Sequence, residues 1–131
     1  DHMTRTYDLF STYSHHPSKN YVCTADGSHT FLCGEGSIDL THFMSLSNVL
    51  HVPKLSCNLL SVPQLTKTLP CSVTFFDSYC VFQDSRTGVT IGRGREKGGL
   101  YFLDIPGKAS DGLGHVLHSV GSFNVEREIL L

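Results

Sequence analysis

The chain lacks the features that would place it in several large classes of protein. Its 131 residues include no tryptophan, and its apolar runs are only a few residues long, far short of the roughly 20 needed to cross a bilayer. Its formal net charge is -2, from 12 acidic and 10 basic residues, so no positive field covers the chain. The sequence therefore predicts a soluble domain with no membrane contact, and it disfavours nucleic-acid binding.

The cysteines show neither the spacing of a metal site nor that of a disulfide framework. Their number is odd, no Cys-x-x-Cys pair occurs, and the sequence shows no secretory signal. Each one lies in or beside an apolar stretch, where a free cysteine packs as a small hydrophobe. We therefore expect reduced cysteines and an intracellular, cytoplasmic protein. The cysteines are Cys23, Cys33, Cys57, Cys71 and Cys80.

Motifs of hydrolytic and metal chemistry are also missing. The Gly-x-Ser-x-Gly elbow of serine hydrolases does not occur. An aspartic protease needs two aspartates that share a proton, and in its dimeric form each chain donates one from an Asp-Thr/Ser-Gly triplet. No such triplet occurs, since Asp26-Gly27 lacks the hydroxyl residue between. The eight histidines lie in separate segments instead of converging as metal ligands do. The sequence thus predicts no catalytic residue, no metal site and no cofactor.

A glycine-rich segment at residues 92–99 carries three basic residues, Arg93, Arg95 and Lys97. Glycines and cations together would suit a phosphate group. The spacing fits neither the dinucleotide fingerprint nor the P-loop, and a β-forming stretch follows where a helix would have to begin. We interpret the segment as a solvated hairpin loop, with DNA binding as a weaker alternative.

Asp26-Gly27 is the clearest local signal of secondary structure. β-forming residues precede it at 21–24 and follow it at 29–33, and Asp-Gly between such runs marks a hairpin whose two central residues take positive φ. Residues 1–18 contain aromatic side chains without a period and are predicted as loop with one short turn. The Gly-Glu-Gly stretch at 34–36 is predicted to break the second strand before it resumes.

Further along the chain the pattern predicts one long strand and one helix. Residues 43–52 form a strand with four apolar side chains on one face, Met44, Leu46, Leu50 and Val52. Apolar residues at about 58–69 follow a helical period and predict a short buried helix. Pro63 is tolerated in its first turn if Ser61 is the N-cap, so the regular helix begins late.

Four short strands are predicted after Pro70, at residues 71–76, 79–83, 89–91 and 100–105. Short strands spaced about ten residues apart favour a small barrel or sandwich over a βαβ arrangement. The sequence therefore predicts a mainly β fold, a small closed or partly open barrel with one short helix, over residues 1–105. Glycine and serine dominate residues 106–122 and an amphipathic segment begins at Asn124, so residues 106–131 are predicted as a linker and the start of another segment.

Four stretches in one order and spacing carry a resemblance to a known family. They are Ala25-Asp26-Gly27-Ser28, the long run at 47–66 (SNVLHVPKLSCNLLSVPQLT), residues 71–76 and residues 90–101. Each alone is weak evidence, but together they belong to a match that runs from residue 1 to about residue 104. The chain resembles the protease region of plant copia-type LTR retrotransposon Pol polyproteins.

The resemblance implies a retropepsin-like β-barrel within a gag-pol chain, whose parent domain is an aspartic endopeptidase for polyprotein processing. On this basis Asp26 and Gly27 are candidates for the flap that folds over a bound peptide, and residues 58–65 for the helix behind the active site. Residues 123–131 resemble the lead-in to a zinc-binding pre-integrase segment. The implied partners are a second copy in a homodimer and extended peptide segments of the same polyprotein.

The start of the chain departs from the family pattern. The family's catalytic motif reads Asp-Ser-Gly-Ala, then two residues before His-Met-Thr, and Asp1-His2-Met3-Thr4 matches only the end of that run. The resemblance therefore implies a domain truncated ahead of Asp1, which is not the catalytic aspartate, and we expect this chain alone to be inactive. The alternative is a non-catalytic barrel that serves as a scaffold, assembly or peptide-binding module through exposed strand edges.

Overall fold

The computed structural model describes residues 1–105 and 128–131, and these form one β-sheet with one α-helix. Alternating apolar and polar residues place one face of most strands on a shared core. The predicted mainly β fold with one short helix is confirmed. In chain order the elements are β1 (Met3–Thr4), a 3-10 turn (Tyr7–Leu9), β2 (Phe10–Cys23), β3 (His29–Thr41), β4 (Met44–His51), β5 (Asn58–Leu59), α1 (Val62–Thr68), β6 (Cys71–Phe75), β7 (Tyr79–Asp84), β8 (Thr90–Lys97), β9 (Leu100–Asp104) and β10 (Ile129–Leu130).

Two antiparallel meanders form the halves of the sheet, β2–β3–β4 and β6–β7–β8–β9. Three short strands join them: β1 pairs parallel with β4 and antiparallel with β5, and β10 pairs parallel with β5 and antiparallel with β9. The resulting order is β2-β3-β4-β1-β5-β10-β9-β8-β7-β6. Among the described residues β2 and β6 are therefore free edges. The predicted barrel is thus partly open and not closed.

The core lies between the two meanders and the helix. Its largest fully buried apolar side chains are Phe82 of β7, Met44 of β4 and Leu65 of α1. Burying one such side chain stabilises the fold by about 1.5–3 kcal/mol. Cys71 and Cys80 are buried in the same core, as the sequence predicts for small hydrophobes, whereas Cys23 is exposed and the prediction is wrong there. These contacts tie the helix and both halves of the sheet into one unit.

β8 occupies most of the glycine-rich segment, and the prediction of a loop there is wrong. A Cβ on Gly92 would lie 2.7 Å from Sδ of Met44, and one on Gly94 would lie 2.6 Å from Sγ of Cys80. These glycines leave room for core side chains that pack against the strand. The turn is confined to the last two glycines, which have positive φ.

The first part of the chain is extended instead of looped. β2 begins at Phe10, so the prediction for residues 1–18 holds only for the short turn at Tyr7–Leu9. β3 also runs unbroken through the Gly-Glu-Gly stretch that was predicted to interrupt it. A Cβ on Gly36 would overlap the backbone oxygen of Thr12. Glycine is needed there because β2 and β3 approach closely.

β4 contains a bulge that changes which side chains face the core. Asn48 has a left-handed φ of 54°, and between Leu46 and Val49 β4 carries one residue more than its partner β3. Val49 is consequently buried, and Leu50 is only partly buried. The prediction that Leu50 shares the core face with Met44 is wrong, because the bulge reverses the alternation.

Helix α1 begins where the sequence predicts. Oγ of Ser61 accepts a hydrogen bond from the backbone N of Gln64 at 3.3 Å, and Pro63 lies in the first turn. Asn58–Leu59 form β5 instead. The predicted range of about 58–69 is therefore too long at its N-terminal end.

The final residues lie in the middle of the sheet. Ile129 is opposite Asn58 of β5 and Leu103 of β9, and its side chain is buried. Residues 106–127, with most of the predicted linker, lie outside the described residues. The predicted division into residues 1–105 and 106–131 stays a prediction, and the structure adds that β10 belongs to the same sheet.

Candidate functional site

β1 lies at the centre of the sheet and is fixed by buried polar groups. Oγ1 of Thr4 donates a hydrogen bond to Oδ1 of Asn58 at 2.7 Å, and the backbone N of Arg5 donates to the same oxygen at 2.9 Å. Thr4 and Asn58 are each 1% exposed. A buried polar group that loses its partner costs about 1–3 kcal/mol, so this pairing strongly favours one position of β1.

His2 extends the network towards the helix. Its Nδ1 accepts a hydrogen bond from the backbone N of Ser61 at 3.0 Å, and its backbone oxygen accepts one from N of Leu50 at 2.9 Å. Burial, and to a smaller extent the positive amino terminus, lowers the pKa of His2 from 6.5 to about 4. The ring is therefore neutral at neutral pH. We call His2, Thr4, Asn58 and Ser61 the central polar cluster.

A second buried histidine joins β4 to β2. His51 lies at the end of β4, and its Nδ1 is 2.9 Å from Oη of Tyr13. The ring also hydrogen-bonds to the backbone of Arg5, so a neutral ring that donates there through its other nitrogen accepts the tyrosine hydroxyl at Nδ1. The rings of Tyr7 and Phe10 have centroids 6.0 Å and 5.8 Å from that of His51. Burial lowers the pKa of His51, which favours the neutral ring that this arrangement requires.

The hairpin of β2 and β3 extends past the rest of the sheet. β4 pairs with β3 from Gly34 to Thr41, and the hairpin continues beyond that point as two strands paired with each other. We call residues 20–32 the hairpin arm. On one of its faces Tyr21 lies opposite Phe31, with ring centroids 4.7 Å apart and exposures of 51% and 41%. An exposed aromatic pair of this kind can pack against an extended chain.

The tip of the hairpin arm is held by its own side chains. Oδ1 of Asp26 accepts hydrogen bonds from Oγ1 of Thr24 at 2.6 Å and from N and Oγ of Ser28 at 3.0 and 2.7 Å. These bonds, that from Thr24 first, lower the pKa of Asp26 to about 2. The backbone N of Gly27 donates to O of Thr24 at 2.9 Å. The carboxylate is thus ionised and orders the turn.

The predicted hairpin at Asp26-Gly27 is confirmed, although its turn differs from the prediction. Gly27 has a φ of +84°, whereas Asp26 does not take a positive φ. The backbone N of Thr24 donates to O of Ser28, which closes a loop of three residues. Such a loop needs only one left-handed position, and glycine fills it. The role of Asp26 and Gly27 as a flap stays a prediction.

Two of the three basic residues of β8, Arg95 and Lys97, are paired with carboxylates. Arg95 contacts Asp104, and its Nη2 lies 3.3 Å from Oε1 of Glu128. Nζ of Lys97 lies 3.7 Å from the same carboxylate oxygen. The local charge is therefore largely balanced, which is unfavourable for the phosphate contacts that the glycines first suggest.

Two kinds of site are absent from the part of the chain that the structure describes. Residues 1–105 and 128–131 contain no group of three or more side chains that could hold a metal ion. His115 and His118 lie outside these residues, so the expected absence of a metal and a cofactor stays a prediction. Within the same ranges no helix is long and apolar enough to span a membrane.

The anchoring of β1 was not predicted from the sequence. Thr4 and Asn58 are 54 positions apart, His2 and Ser61 are 59 apart, and the Tyr13 to His51 contact spans 38. Periodicity reports only near neighbours, so it cannot reveal such pairs. The available signal was a polar residue placed between apolar ones in a β-forming run.

Comparisons with known proteins agree with this architecture. The family described as Pol polyprotein, beta-barrel domain, matches residues 1–69, which span β1 to α1 with the central polar cluster and the hairpin arm. Two retrovirus-related Pol polyproteins of Arabidopsis thaliana, from transposons RE2 and RE1, are 33% and 32% identical to the chain over 103 residues. No solved structure gives a significant match.

The matched part is 76% of this chain and 7% of each of these two relatives. The chain thus spans a small fraction of the length of the curated relatives it matches. The family match covers just over half of the 131 residues. The chain therefore belongs to the family of beta-barrel domains of retrotransposon Pol polyproteins.

Proposed function

We propose that this domain is the protease-type barrel of a copia-type Pol polyprotein, and that its hairpin arm covers an extended peptide segment of that polyprotein. The observation that carries the proposal is the arm itself. It extends past β4, it exposes the Tyr21–Phe31 pair, and its tip is ordered by Asp26. The net charge of -2 also favours a peptide partner over a nucleic acid.

The arm combines an ordered tip with a face that exposes two aromatic rings. The hydrogen bonds of Asp26 hold the turn, so the tip moves as one piece with the two strands. Tyr21 and Phe31 then offer ring faces to apolar side chains of a bound peptide. A covering arm also excludes water from the peptide, which strengthens the hydrogen bonds beneath it.

The central polar cluster would serve the chemistry of the parent domain by holding β1 in place. In a longer chain a catalytic Asp-Ser-Gly-Ala motif would lead directly into β1, which Thr4 and Asn58 fix at the middle of the sheet. Two such chains would bring their aspartates together, and the pair would activate a water for attack on the peptide bond. The 131 residues themselves contain no such motif, so we propose that this chain alone does not cleave peptides.

Peptide binding tests the role of the arm. Fluorescently labelled extended peptides are titrated with the chain, and anisotropy gives the dissociation constant. Removal of both rings in Tyr21→Ala/Phe31→Ala should raise that constant about tenfold, since each aromatic contact contributes roughly 0.5–1.5 kcal/mol. The matched control is Phe43→Ala, because Phe43 is also exposed, at 67%, but lies in the turn between β3 and β4. Equal effects of the two changes, or no binding to the unaltered chain, would contradict the proposal.

Cleavage tests the catalytic part separately. The unextended chain should show no pepstatin-sensitive cleavage of a peptide panel at mildly acidic pH. A chain extended ahead of Asp1 by Asp-Ser-Gly-Ala and one further residue should gain that activity, and Asp→Asn within the added motif should abolish it. Pepstatin-sensitive cleavage by the unextended chain would refute the proposed inactivity.

The second candidate is a non-catalytic scaffold or peptide-binding module, and it is favoured by the two sheet edges that no other described strand covers. It predicts peptide binding through the arm without any gain of activity in the extended chain. The proposed intracellular, cytoplasmic location fits either candidate, since all five cysteines are free.

A further inference from the structure

The short strand β10 lies between the two halves of the sheet as a separate piece. Residues 106–127 lie between it and β9 along the chain, yet β10 pairs parallel with β5 on one side and antiparallel with β9 on the other. In the part of the chain that the structure describes, no other strand joins β5 to β9. If β10 were removed, β5 and β9 would therefore border a slot with one unpaired backbone edge on each side.

The backbone of β10 fills both edges of this slot. On the β5 side the backbone N of Leu60 donates to O of Leu130 at 2.7 Å, and on the β9 side N of Leu131 donates to O of Tyr101 at 3.0 Å. Backbone groups alternate from side to side along a strand, so Ile129 and Leu131 are directed towards β9 and Leu130 towards β5. Three successive residues are thus held by backbone hydrogen bonds that any extended segment could form.

The side chains add a preference for sequence. Ile129 is 4% exposed and belongs to the core between the two meanders, and Leu131 packs against the same core. The side chain of Glu128 is 14% exposed, and its Oε1 lies 3.3 Å from Nη2 of Arg95 and 3.7 Å from Nζ of Lys97. The slot therefore fits an extended segment in which an acidic residue precedes aliphatic ones.

We propose that the slot between β5 and β9 is a binding site for peptide segments of the type Glu-Ile-Leu-Leu, and that residues 128–131 occupy it as an exchangeable ligand. In strand addition of this kind, backbone hydrogen bonds give affinity and the side-chain pockets give specificity. The segment keeps all of these contacts when the chain is cut between Ile105 and Glu128, because none of them involves residues 106–127. A cut there therefore leaves two pieces that are held together through β10 without a covalent bond.

The slot would give the barrel a second role that needs neither the hairpin arm nor catalysis. In a Pol polyprotein, the barrel would retain the piece that carries residues 128–131 after an endopeptidase has cut the chain ahead of it. The slot is already filled before the cut, so the two pieces need not find each other in solution. Retention then depends on how slowly β10 leaves the slot.

A cut chain tests whether the pieces stay together. A recognition sequence for a sequence-specific protease is inserted after Gly112 in the full chain, and denaturing electrophoresis establishes that the cut is complete. In size-exclusion chromatography at neutral pH the two pieces should elute together, and in urea they should separate. Pieces that separate without urea would overturn the proposal, and so would a cut chain that loses the circular dichroism spectrum of the uncut one.

Two substitutions in this segment test which contacts retain the piece. Ile129→Ala removes most of a buried side chain and should raise the dissociation constant of the two pieces at least about tenfold. Glu128→Lys places a third cation beside Arg95 and Lys97 and should raise that constant about tenfold at low salt and less at high salt. Asp77→Lys is the matched control, since it makes the same change of charge at an exposed residue between β6 and β7. It should leave retention unaltered.

Circular dichroism of the uncut variants comes first. Glu128→Lys alters a side chain at the margin of the slot, so it keeps the test decisive if Ile129→Ala fails to fold. A folded Glu128→Lys chain that retains the piece as well as Asp77→Lys does, at low salt, would refute the role of the slot.

Exchange with a free peptide tests the site directly. A fluorescently labelled peptide with the sequence of residues 125–131 is incubated with the cut chain, and anisotropy reports its uptake as it replaces the bound piece. The same peptide with Ile129→Asp should bind at least about tenfold more weakly, because the slot would bury its carboxylate. The uncut chain should take up little of either peptide, since its own segment acts at an effective concentration of about millimolar.

Two results of this exchange would overturn the proposal. Equal uptake of the two peptides would show that the slot does not select its segment, and equal uptake by cut and uncut chains would show that residues 128–131 do not fill it. The outcome is separable from that of the hairpin arm. Tyr21→Ala/Phe31→Ala should leave uptake of the labelled peptide unaltered, and Glu128→Lys should leave peptide binding by the arm intact, so either proposal can fail alone.

Discussion

Asn58→Ala should destabilise the fold more than any ordinary polar substitution, because one buried oxygen serves two donors. Oδ1 of Asn58 accepts from Oγ1 of Thr4 and from N of Arg5, at 2.7 and 2.9 Å, and Asn58 is 1% exposed. Removing the oxygen leaves a backbone N–H and a hydroxyl short of a partner in a site closed to water. Each buried polar group that loses its partner costs about 1–3 kcal/mol, so we expect a loss of about 2–4 kcal/mol in the free energy of unfolding.

Urea unfolding followed by circular dichroism measures this loss, provided that the slope of the transition stays constant. A double-mutant cycle then isolates the contact with Thr4. Thr4→Val preserves the shape and removes the hydroxyl, so the combined variant should be about 1 kcal/mol more stable than the sum of the two single effects predicts. Asn20→Ala is the control, since Asn20 is exposed on the hairpin arm, and it should change stability by no more than about 0.5 kcal/mol.

The reasoning fails on either of two results. A loss below about 1 kcal/mol for Asn58→Ala would show that water or another group replaces the lost oxygen, and that β1 is not held as described. Additive effects of Asn58→Ala and Thr4→Val would show that the two side chains do not interact in solution.

Three further predictions concern acid, close packing and the helix start. The pKa of His2 is lowered to about 4 in the folded chain, so between pH 6.5 and pH 4 mainly the unfolded chain takes up this proton. The free energy of unfolding, measured with urea at each pH, should therefore be constant above pH 6.5 and fall by up to about 3 kcal/mol by pH 4. His2→Asn should remove this dependence on pH. Gly36→Ala should cost at least about 2 kcal/mol in thermal unfolding, because its Cβ would meet the backbone of Thr12, and a smaller loss would contradict the close approach. Ser61→Ala should cost about 1 kcal/mol in urea unfolding, and no change would argue against its role as N-cap.

Local chemistry along the chain was sufficient to predict the hairpin and the helix start. Gly27 takes the one left-handed position of its loop, and Ser61 caps the helix with Pro63 in the first turn. Each of these features depends on residues within four positions of one another. Sequence patterns report such short-range preferences directly.

The failures have a common physical cause, which is contact between distant parts of the chain. Gly36 was interpreted as a break and Gly94 as part of a loop, yet both lie inside strands because a neighbouring strand or core side chain leaves no room for a Cβ. The strand at Leu50 was assigned the wrong face because the bulge at Asn48 depends on the pairing of β4 with β3. A glycine in a β-forming run therefore indicates either a turn or close packing, and only tertiary structure distinguishes them.

The run of residues that carries the strongest resemblance also has a structural explanation. Residues 47–66 contain three of the groups that hold the start of the chain: His51 bonds to the backbone of Arg5, Asn58 to Thr4 and Arg5, and the backbone N of Ser61 to His2. All three act on β1, at the centre of the sheet. Under the proposed function this run is the support of the catalytic segment, and its hydrogen bonds stabilise the fold whether or not chemistry takes place.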